Sequence, residues 1–216
     1  MIRILIADDH AILRAGLKHL LSEYPDIVVA DEASNGAEAL DKVRTGHWDV
    51  MVLDMSMPGK SGIELIKQLK QLAPKLPLLI LSMHKEDVYA VRALKAGAAG
   101  YLCKDNAEEQ LEPALRKVAA GGMYITAAVA EKLAVGMLRG NPQDALPHTR
   151  LSDREYQIFQ LIAAGESVTE IAKKLNLSVK TVSTHKTHVM EKMSCGSVAE
   201  LVRYAIRHDL SPGGAE

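Results

Sequence analysis

Two different hydrophobic patterns follow one another along the chain. From residue 1 to about residue 120, short apolar runs alternate with amphipathic segments of helical length. This alternation predicts a parallel sheet wrapped by helices, and several runs are continuous enough in Val, Ile and Leu to be buried on both faces. The five predicted strands are 2–7, 27–33, 48–53, 78–81 and 99–103.

The strand pattern stops after Gly121 and Gly122. Residues 127–138 predict one more helix, and the Pro-, Gly- and Asn-rich stretch 139–148 predicts a linker. Only helical patterns follow. We therefore expect an α/β domain over 1–120, a helix and linker over 121–147, and an all-α domain over 148–216.

Helix starts are marked by capping boxes, in which Ser or Asn precedes Glu by three residues. The pairs are Ser61 with Glu64, Asn106 with Glu109, Ser152 with Glu155 and Ser167 with Glu170. Ser178 adds a plausible single N-cap.

Polar residues follow four of the predicted strands, at the sheet edge where open α/β proteins bind ligands. They are Asp8, Asp9, Asp54, Ser82 and Lys104. Each alone is most simply a solvated or capping group, but five from four strands favour a shared site. Clustered carboxylates repel one another unless a hard divalent cation such as Mg²⁺ neutralises them. Such a site allows a carboxylate to attack phosphorus and form an acyl phosphate.

Two enzyme classes use similar residues. Gly59-Lys60-Ser61 matches the end of a P-loop, but the first glycine of that motif would fall at position 54, which is Asp, so a P-loop is excluded. A haloacid-dehalogenase-type phosphatase also forms an aspartyl phosphate after a strand. That resemblance requires a second Asp at position 56, where this chain has Ser, and is a weak alternative.

Four motifs of the first half resemble those of response-regulator receiver domains. They are Ala-Asp-Asp-His at 7–10, Leu-Asp-Met-Ser-Met-Pro-Gly at 53–59, Leu-Ser-Met-His at 81–84 and Gly-Tyr-Leu-Cys-Lys at 100–104. The resemblance covers residues 1 to about 120. It implies a flavodoxin-like five-stranded parallel sheet of order 2-1-3-4-5 and a sensor histidine kinase as phosphoryl donor.

The same resemblance assigns roles to individual residues. Asp54 is expected to be the phosphoacceptor, and Asp8, Asp9 and the Ser56 carbonyl are expected to help it hold Mg²⁺. Lys104, Ser82 and Tyr101 are expected to bind the phosphoryl group or to switch conformation with it.

The net charge of −1 conceals a basic patch in the second half. Between Lys173 and Lys192 there are five lysines and two histidines against Glu191 alone. A positive field focused on one helical stretch suits a phosphate backbone.

Helix-turn-helix spacing is visible in the same region. Ile171, Ala172 and Leu175 form an inward stripe, Asn176-Leu177 makes a turn, and a second helix starts near Ser178. On that helix we expect an inward stripe of Val179, Val182, Val189 and Met193. The opposite stripe carries Lys180, Ser183, Thr184, Thr187 and Glu191. Short polar side chains can reach base edges, while lysines and Thr181 suit phosphate contacts.

The segments 151–155, 170–175 and 178–185 resemble the LuxR-type domain of NarL/FixJ-family regulators, over residues 148 to about 210. The resemblance implies a tetrahelical domain that binds double-stranded DNA as a homodimer. The DNA-binding residues are expected to be Lys180, Thr181, Ser183, Thr184, Thr187, His188 and Lys192, with Ser183, Thr184 and Thr187 reading bases. Val198, Leu201 and Val202 are the candidates for a dimer surface. The family usually has Gly after the recognition helix, where this chain has Ser194.

The cysteines and the apolar runs of the sequence predict where the protein is located. Cys103 and Cys195 match no ligand or disulfide spacing, which favours free thiols in a reducing compartment. No run is long and apolar enough for a signal peptide or a bilayer span, so we expect a cytoplasmic protein without a membrane partner.

The main hypothesis is a phosphorylation-controlled transcription regulator and not an enzyme. The alternatives are a DNA-binding regulator that does not depend on phosphorylation and, less favoured, a phosphatase that uses Asp54.

Overall fold

The computed structural model describes residues 1–57, 62–82, 87–138, 146–208 and 210. The chain divides into two compact units, residues 1–133 and 134–216. Among the described residues, no helix is long and apolar enough to cross a membrane.

The first unit is built on a parallel sheet of order β2-β1-β3-β4-β5, which confirms the predicted topology. The strands are β1 Ile2–Ala7, β2 Ile27–Ala33, β3 Val50–Asp54, β4 Leu78–Ser82 and β5 Gly100–Cys103. The third strand starts later than predicted because Trp48 lies in the preceding loop, where its indole Nε1 donates to the Lys42 carbonyl at 3.0 Å. Asp54 and Ser82 are the last residues of their strands, so the sheet itself positions them.

Five helices cover the faces of this sheet, α1 Ala11–Leu21, α2 Gly36–Thr45, α3 Gly62–Leu72, α4 Asp87–Lys95 and α5 Ala107–Ala119. A further helix, α6 Ala127–Leu138, follows and crosses the boundary between the two units. Alternate residues of β1 point to opposite faces, and Ile4 and Ile6 pack in one cluster with Leu17 of α1 and Leu111 of α5. Every residue of β3 and β4 is buried, as their unbroken apolar sequence predicted.

The chain returns to the β5 edge after α5, which the sequence pattern did not indicate. Tyr124 forms a parallel bridge with Gly100, its N–H donates to the Ala99 carbonyl and its carbonyl accepts from the Tyr101 N–H, both at 3.0 Å. A Cβ on Gly100 would lie 3.0 Å from the Tyr124 carbonyl oxygen, so glycine is needed for this close approach. The bridge covers an otherwise open sheet edge.

One predicted helix start is wrong. Asn106 makes no side-chain capping bond within the described part of the chain, because a 3-10 turn over Lys104–Asn106 runs directly into α5. The backbone N–H of Ala107 then donates to the Lys104 carbonyl and is satisfied without a cap. Ser61, the predicted cap of α3, lies outside the described residues.

Beyond α6, the described part of the second unit shows four α-helices, α7 Asp153–Ala163, α8 Val168–Lys174, α9 Val179–Met193 and α10 Val198–Arg207. Both predicted capping boxes, at Ser152 and Ser167, are confirmed, and Ser178 accepts a hydrogen bond from the Thr181 N–H at 3.0 Å. A 3-10 turn over Pro147–Arg150 precedes α7 and buries His148, whose Nδ1 lies 2.8 Å from the Tyr204 hydroxyl. The predicted linker therefore overlaps the folded unit at its end, while residues 139–145 lie outside the described ranges.

The α8–α9 pair confirms the helix-turn-helix. Asn176 adopts a left-handed conformation with φ 52°, and the Leu177 N–H donates to the Ala172 carbonyl at 2.8 Å, which closes the turn. Ser194 ends α9 in the same left-handed region, with φ 54°. Ser194 thus adopts the left-handed conformation that glycine adopts at a lower conformational free energy, and the helix ends as it would with glycine.

Candidate functional site

The carboxyl ends of the strands bring the predicted acidic site together. Strand pairing aligns Ala7 with Leu53, Asp54 with Leu81 and Ser82 with Cys103, so the residues that end or follow these strands lie at one edge. Asp8, Asp54 and Ser82 are buried there. We call Asp8, Asp9, Asp54, Ser82 and Lys104 the acid pocket.

A single lysine pairs with two buried carboxylates in the acid pocket. Lys104 Nζ lies 2.8 Å from Asp8 Oδ2 and 3.1 Å from Asp54 Oδ1, and its own side chain is nearly buried. One positive charge faces two buried negative charges, with Asp9 adding a third at the rim. The pocket is therefore left with a negative charge that a cation would compensate.

Asp54 is the least satisfied of these groups. It is 1% exposed; the Lys104 ammonium lies 3.1 Å from Oδ1 and the Ser56 backbone is close, but neither carboxylate oxygen has a well-formed hydrogen bond to a described residue. Burial raises the pKa of Asp54 above its ordinary value, and the negative charge of Asp8 adds to that effect while the Lys104 ammonium opposes it. An ionised carboxylate in this position is reactive toward any electrophile or cation that reaches it.

The donor atoms fit a hard divalent cation. Ligand atoms of Asp8, Asp9, His10 and Asp54 all lie within 4.8 Å of one another. The three carboxylates supply the oxygen donors that Mg²⁺ prefers. The two Asp54 oxygens are buried without a well-formed hydrogen bond to a described residue, which leaves them able to bind a cation.

His10 belongs to this neighbourhood, although sequence reasoning assigned it no role. Its backbone N–H donates to Asp8 Oδ1 at 2.8 Å, and its Nδ1 lies 3.2 Å from that oxygen and 3.1 Å from Asp9 Oδ1. The side chain is largely exposed. Its place directly after two aspartates at a helix start was the signal that the sequence offered.

The two remaining predicted residues of this unit differ in exposure. Ser56 is exposed in the loop after β3, between the buried side chains of Met55 and Met57, so its backbone stays close to Asp54. Tyr101 is buried on β5, and its N–H is the one that bonds Tyr124.

In the second unit, α9 presents a polar face to solvent. Lys180, Ser183, Thr184, Thr187 and His188 are exposed, whereas Val182, Val189 and Met193 pack in the core. The hydroxyls of Thr184 and Thr187 each donate to the carbonyl four residues earlier at 3.1 Å, which holds their rotamers. Thr181 is half-buried and its hydroxyl lies 2.7 Å from that of Ser178.

One prediction on α9 needs correction, and the structure adds a contact to another. Val179 was expected to face the core but is 49% exposed, because it is the first residue of the helix. Lys192, which is predicted to meet DNA phosphates, has its Nζ 2.6 and 2.9 Å from the two carboxylate oxygens of Glu155 on α7. Its charge is thus already partly neutralised.

The candidate dimer surface on α10 also needs correction. Leu201 is fully buried in the domain core and offers no surface to a partner in this structure. Val198 and Val202 lie on a neighbouring stripe with Ile206, which is 62% exposed and was missed. Residues four apart share a helix face, so the exposed Val198 and Ile206 form an apolar stripe with the half-buried Val202 between them.

The fold and the two sites define a two-part regulator, with an open α/β unit that carries a buried acid pocket and a separate helix-turn-helix unit with an exposed polar face. Comparison with known families agrees for both parts. Residues 4–116 match the response regulator receiver domain, and residues 149–205 match the bacterial regulatory proteins of the luxR family. The chain belongs to the two-component response regulators of the NarL/FixJ type.

Full-length relatives have the same organisation. The chain is 40% identical to the oxygen regulatory protein NreC of Staphylococcus carnosus over 213 residues, 96% of this chain and 98% of that protein. It is 36% identical to response regulator UvrY of Escherichia coli over 210 residues, 97% and 96% of the two chains. Among solved structures it is similar to RcsB of Salmonella enterica serovar Typhimurium bound to promoter rprA with the phosphomimetic BeF₃⁻, at 28% identity and a TM-score of 0.68, covering 94% of this chain and 97% of that one.

Proposed function

We propose that Asp54 accepts a phosphoryl group from a sensor histidine kinase, and that this modification controls binding of α9 to double-stranded DNA. The observation that carries the proposal is the state of Asp54, a buried carboxylate that has no well-formed hydrogen bond to a described residue and lies 3.1 Å from the Lys104 ammonium. A buried nucleophile beside a fixed cation is poised for reaction at phosphorus.

Each residue of the acid pocket has its own role in the transfer of the phosphoryl group. One Asp54 oxygen forms a bond to phosphorus while the bond from phosphorus to the donor's imidazole nitrogen breaks, and that nitrogen keeps the electron pair. The Lys104 ammonium stabilises the charge on the phosphoryl oxygens, and the Ser82 hydroxyl donates a hydrogen bond to one of them. Tyr101 follows the movement of Ser82 as a switch residue.

Asp8, Asp9, Asp54 and the Ser56 carbonyl would hold Mg²⁺ in this pocket. When bound, the ion neutralises the clustered carboxylates and the charge of the incoming phosphoryl group. Without it, two buried carboxylates share the Lys104 ammonium, which opposes the approach of a further anion.

The exposed face of α9 supplies the DNA contacts. Ser183, Thr184 and Thr187 would meet base edges in the major groove, and Lys180, Thr181 and His188 would meet phosphates. Lys192 would contribute less because it is bound to Glu155. DNA as the partner implies a cytoplasmic location, and a regulatory role without enzymatic turnover.

A homodimer is the proposed DNA-binding form, with the stripe Val198, Val202 and Ile206 as part of its surface. A related precedent supports it, since two RcsB dimers have been solved on two parallel DNAs. We assign residues 1–120 to the receiver, 121–147 to a connecting helix and linker, and 148–216 to the DNA-binding domain.

The test compares DNA affinity with and without a small phosphodonor and Mg²⁺, for the unaltered chain and for Asp54→Asn. A binding site selected from a random DNA pool serves as probe. We expect the phosphodonor to change the affinity of the unaltered chain and to leave that of Asp54→Asn unchanged. Equal affinity of the unaltered chain under both conditions would support regulation without phosphorylation, and repeated turnover of the donor would support a phosphatase.

A further inference from the structure

Arg14 contacts the backbone of the turn between β1 and α1, which carries Asp8 and Asp9 of the acid pocket. Its side chain is only 16% exposed. Nη1 donates to the backbone carbonyl of Asp8 at 2.7 Å, and Nε donates to Glu32 Oε2 on β2 at 2.9 Å. The guanidinium therefore bridges the turn that carries the candidate cation ligands and the neighbouring strand.

The carbonyl that Arg14 binds is the one between the two acidic residues. A peptide unit is planar, so the direction of the Asp8 carbonyl fixes where the Cα of Asp9 leaves the turn. The N–H of Asp8 is held as well, since it donates to the Ala33 carbonyl at 3.1 Å. With both backbone groups held, one by β2 and one by Arg14, the turn that carries the Asp8 and Asp9 side chains is fixed relative to the sheet.

Glu32 in turn fixes Arg14. The pairing of β1 with β2 steps from Ile4 opposite Val29 to Leu5 opposite Asp31, so Ala30 is an extra residue and the strand carries a bulge just before Glu32. Bulges next to sites commonly redirect a side chain. Hydrogen bonds from Lys18 and from Arg14 lower the pKa of Glu32, which therefore remains an anion and keeps its hold on the guanidinium.

The effect on the pocket is geometric more than electrostatic. Glu32 compensates the charge of Arg14 at 2.9 Å, and Lys18 binds the same carboxylate without touching the turn. A lysine at position 14 would keep the charge but has a single nitrogen, which cannot reproduce two bonds made by separate nitrogens in a fixed plane.

We propose that Arg14 is a positioning residue for the divalent cation, which holds the Asp8–Asp9 peptide in the orientation that lets both carboxylates face Asp54. The inference rests on the cation site proposed above. The proposed phosphorylation and DNA binding give the Arg14–Glu32 pair no role, and this proposal supplies one.

The experiment measures Mn²⁺ affinity of the full chain by electron paramagnetic resonance, with Lys18→Ala as matched control because Lys18 shares Glu32 but makes no contact with Asp8. Loss of a hydrogen bond from a charged donor should weaken Mn²⁺ binding about tenfold in Arg14→Ala and by a similar factor in Arg14→Lys. Lys18→Ala should bind Mn²⁺ within about twofold of the unaltered chain.

A second readout separates positioning from a general loss of structure. With a small phosphodonor, the Mg²⁺ concentration for half-maximal phosphorylation should rise about tenfold in Arg14→Ala, whereas the rate at saturating Mg²⁺ should stay within about twofold. If Arg14→Ala fails to fold, Glu32→Gln, which preserves side-chain size and releases the guanidinium, should show the same split with about a threefold shift.

Unchanged Mn²⁺ affinity in a folded Arg14→Ala chain would overturn the proposal, and so would an equal loss in Lys18→Ala. Failure of the unaltered chain to bind Mn²⁺ would instead overturn the cation site itself, which is a different and distinguishable result.

Discussion

Each unit places a buried carboxylate beside a lysine, Asp54 beside Lys104 in the first and Glu155 beside Lys192 in the second, and the two arrangements differ in almost every respect. Glu155 of the second unit is 4% exposed, accepts from the Ser152 N–H at 2.7 Å and from Lys192 at 2.6 and 2.9 Å. Asp54 of the first unit is 1% exposed and has no well-formed hydrogen bond to a described residue, because Lys104 is shared between it and Asp8.

The pKa values of the two groups move in opposite directions. Burial raises the pKa of Asp54 and its partners do not offset this. Burial acts on Glu155 in the same direction, but the bonds from Lys192 and Ser152 outweigh it and the pKa of Glu155 is lowered. Glu155 is a satisfied carboxylate that joins α7 to α9, whereas Asp54 carries the strain expected of a reactive group.

The largest effect is expected from Lys104→Ala. Removing a preorganised cation from the phosphoryl site should slow phosphorylation from a small phosphodonor about 100-fold, as loss of one charge-stabilising donor does in other active sites. Phosphoprotein formation over time measures this rate, with the exposed Lys95→Ala as control. A rate within a few-fold of the unaltered chain would remove Lys104 from the chemistry.

Asp54→Asn should stabilise the first unit by about 2 kcal/mol in metal-free buffer, because it removes a buried charge without adequate partners. Trp48 is the only tryptophan and lies in this unit, so its fluorescence during urea unfolding reports the change. The gain should shrink as the pH falls through the raised pKa of Asp54, since the native carboxyl then takes up a proton before the unfolded one. A destabilised variant would show that Asp54 is as well satisfied as Glu155.

Glu155→Gln should have the opposite sign and destabilise the second unit by about 1.5 kcal/mol near neutral pH, because charged hydrogen bonds at the α7 cap are lost. The folded pKa of Glu155 is lowered, so its contribution is present above the unfolded value and disappears as the pH falls through the folded value. Thermal unfolding followed by circular dichroism should therefore show variant and unaltered chain converging in acid. Equal stability at neutral pH would contradict this account.

The smallest expected effect is a difference between Lys180 and Lys192 of α9 in how the salt dependence of DNA binding changes. Lys180→Ala should reduce the slope of log affinity against log salt by about 0.9, as expected for one lost phosphate contact. Lys192→Ala should change the slope by much less, because Glu155 already binds that ammonium. Fluorescence anisotropy with a selected DNA duplex measures both, and equal changes would mean that Lys192 leaves Glu155 to bind phosphate.

The sequence was sufficient to predict the sheet and the members of the acid pocket. Apolar runs predicted β3 and β4. Because parallel strands place their carboxyl ends at the same edge of a sheet, the sequence also predicted that Asp8, Asp54 and Lys104 lie close together. Local capping chemistry likewise located the starts of α7, α8 and α9 at Ser152, Ser167 and Ser178.

The hydrophobic pattern of the sequence could not predict contacts between side chains that are far apart along the chain. Lys192 and Glu155 are 37 positions apart, and nothing local indicates that one lysine of a basic run turns inward. Arg14 binds Glu32 across 18 positions of sequence, next to a bulge in β2 that the hydrophobic pattern did not indicate. The sequence predicted an amphipathic α10, but a shift of one position separates the buried Leu201 from the stripe of the half-buried Val202 and the exposed Ile206.

The most direct test of the account is to locate the phosphoryl group. The full chain is treated with Mg²⁺ and a small phosphodonor, the acyl phosphate is trapped by borohydride reduction, and its position is mapped by peptide mass spectrometry. We predict a single modified residue, Asp54, and none in Asp54→Asn. Modification at Asp8 or Asp9, or continued labelling of Asp54→Asn, would contradict the assignment.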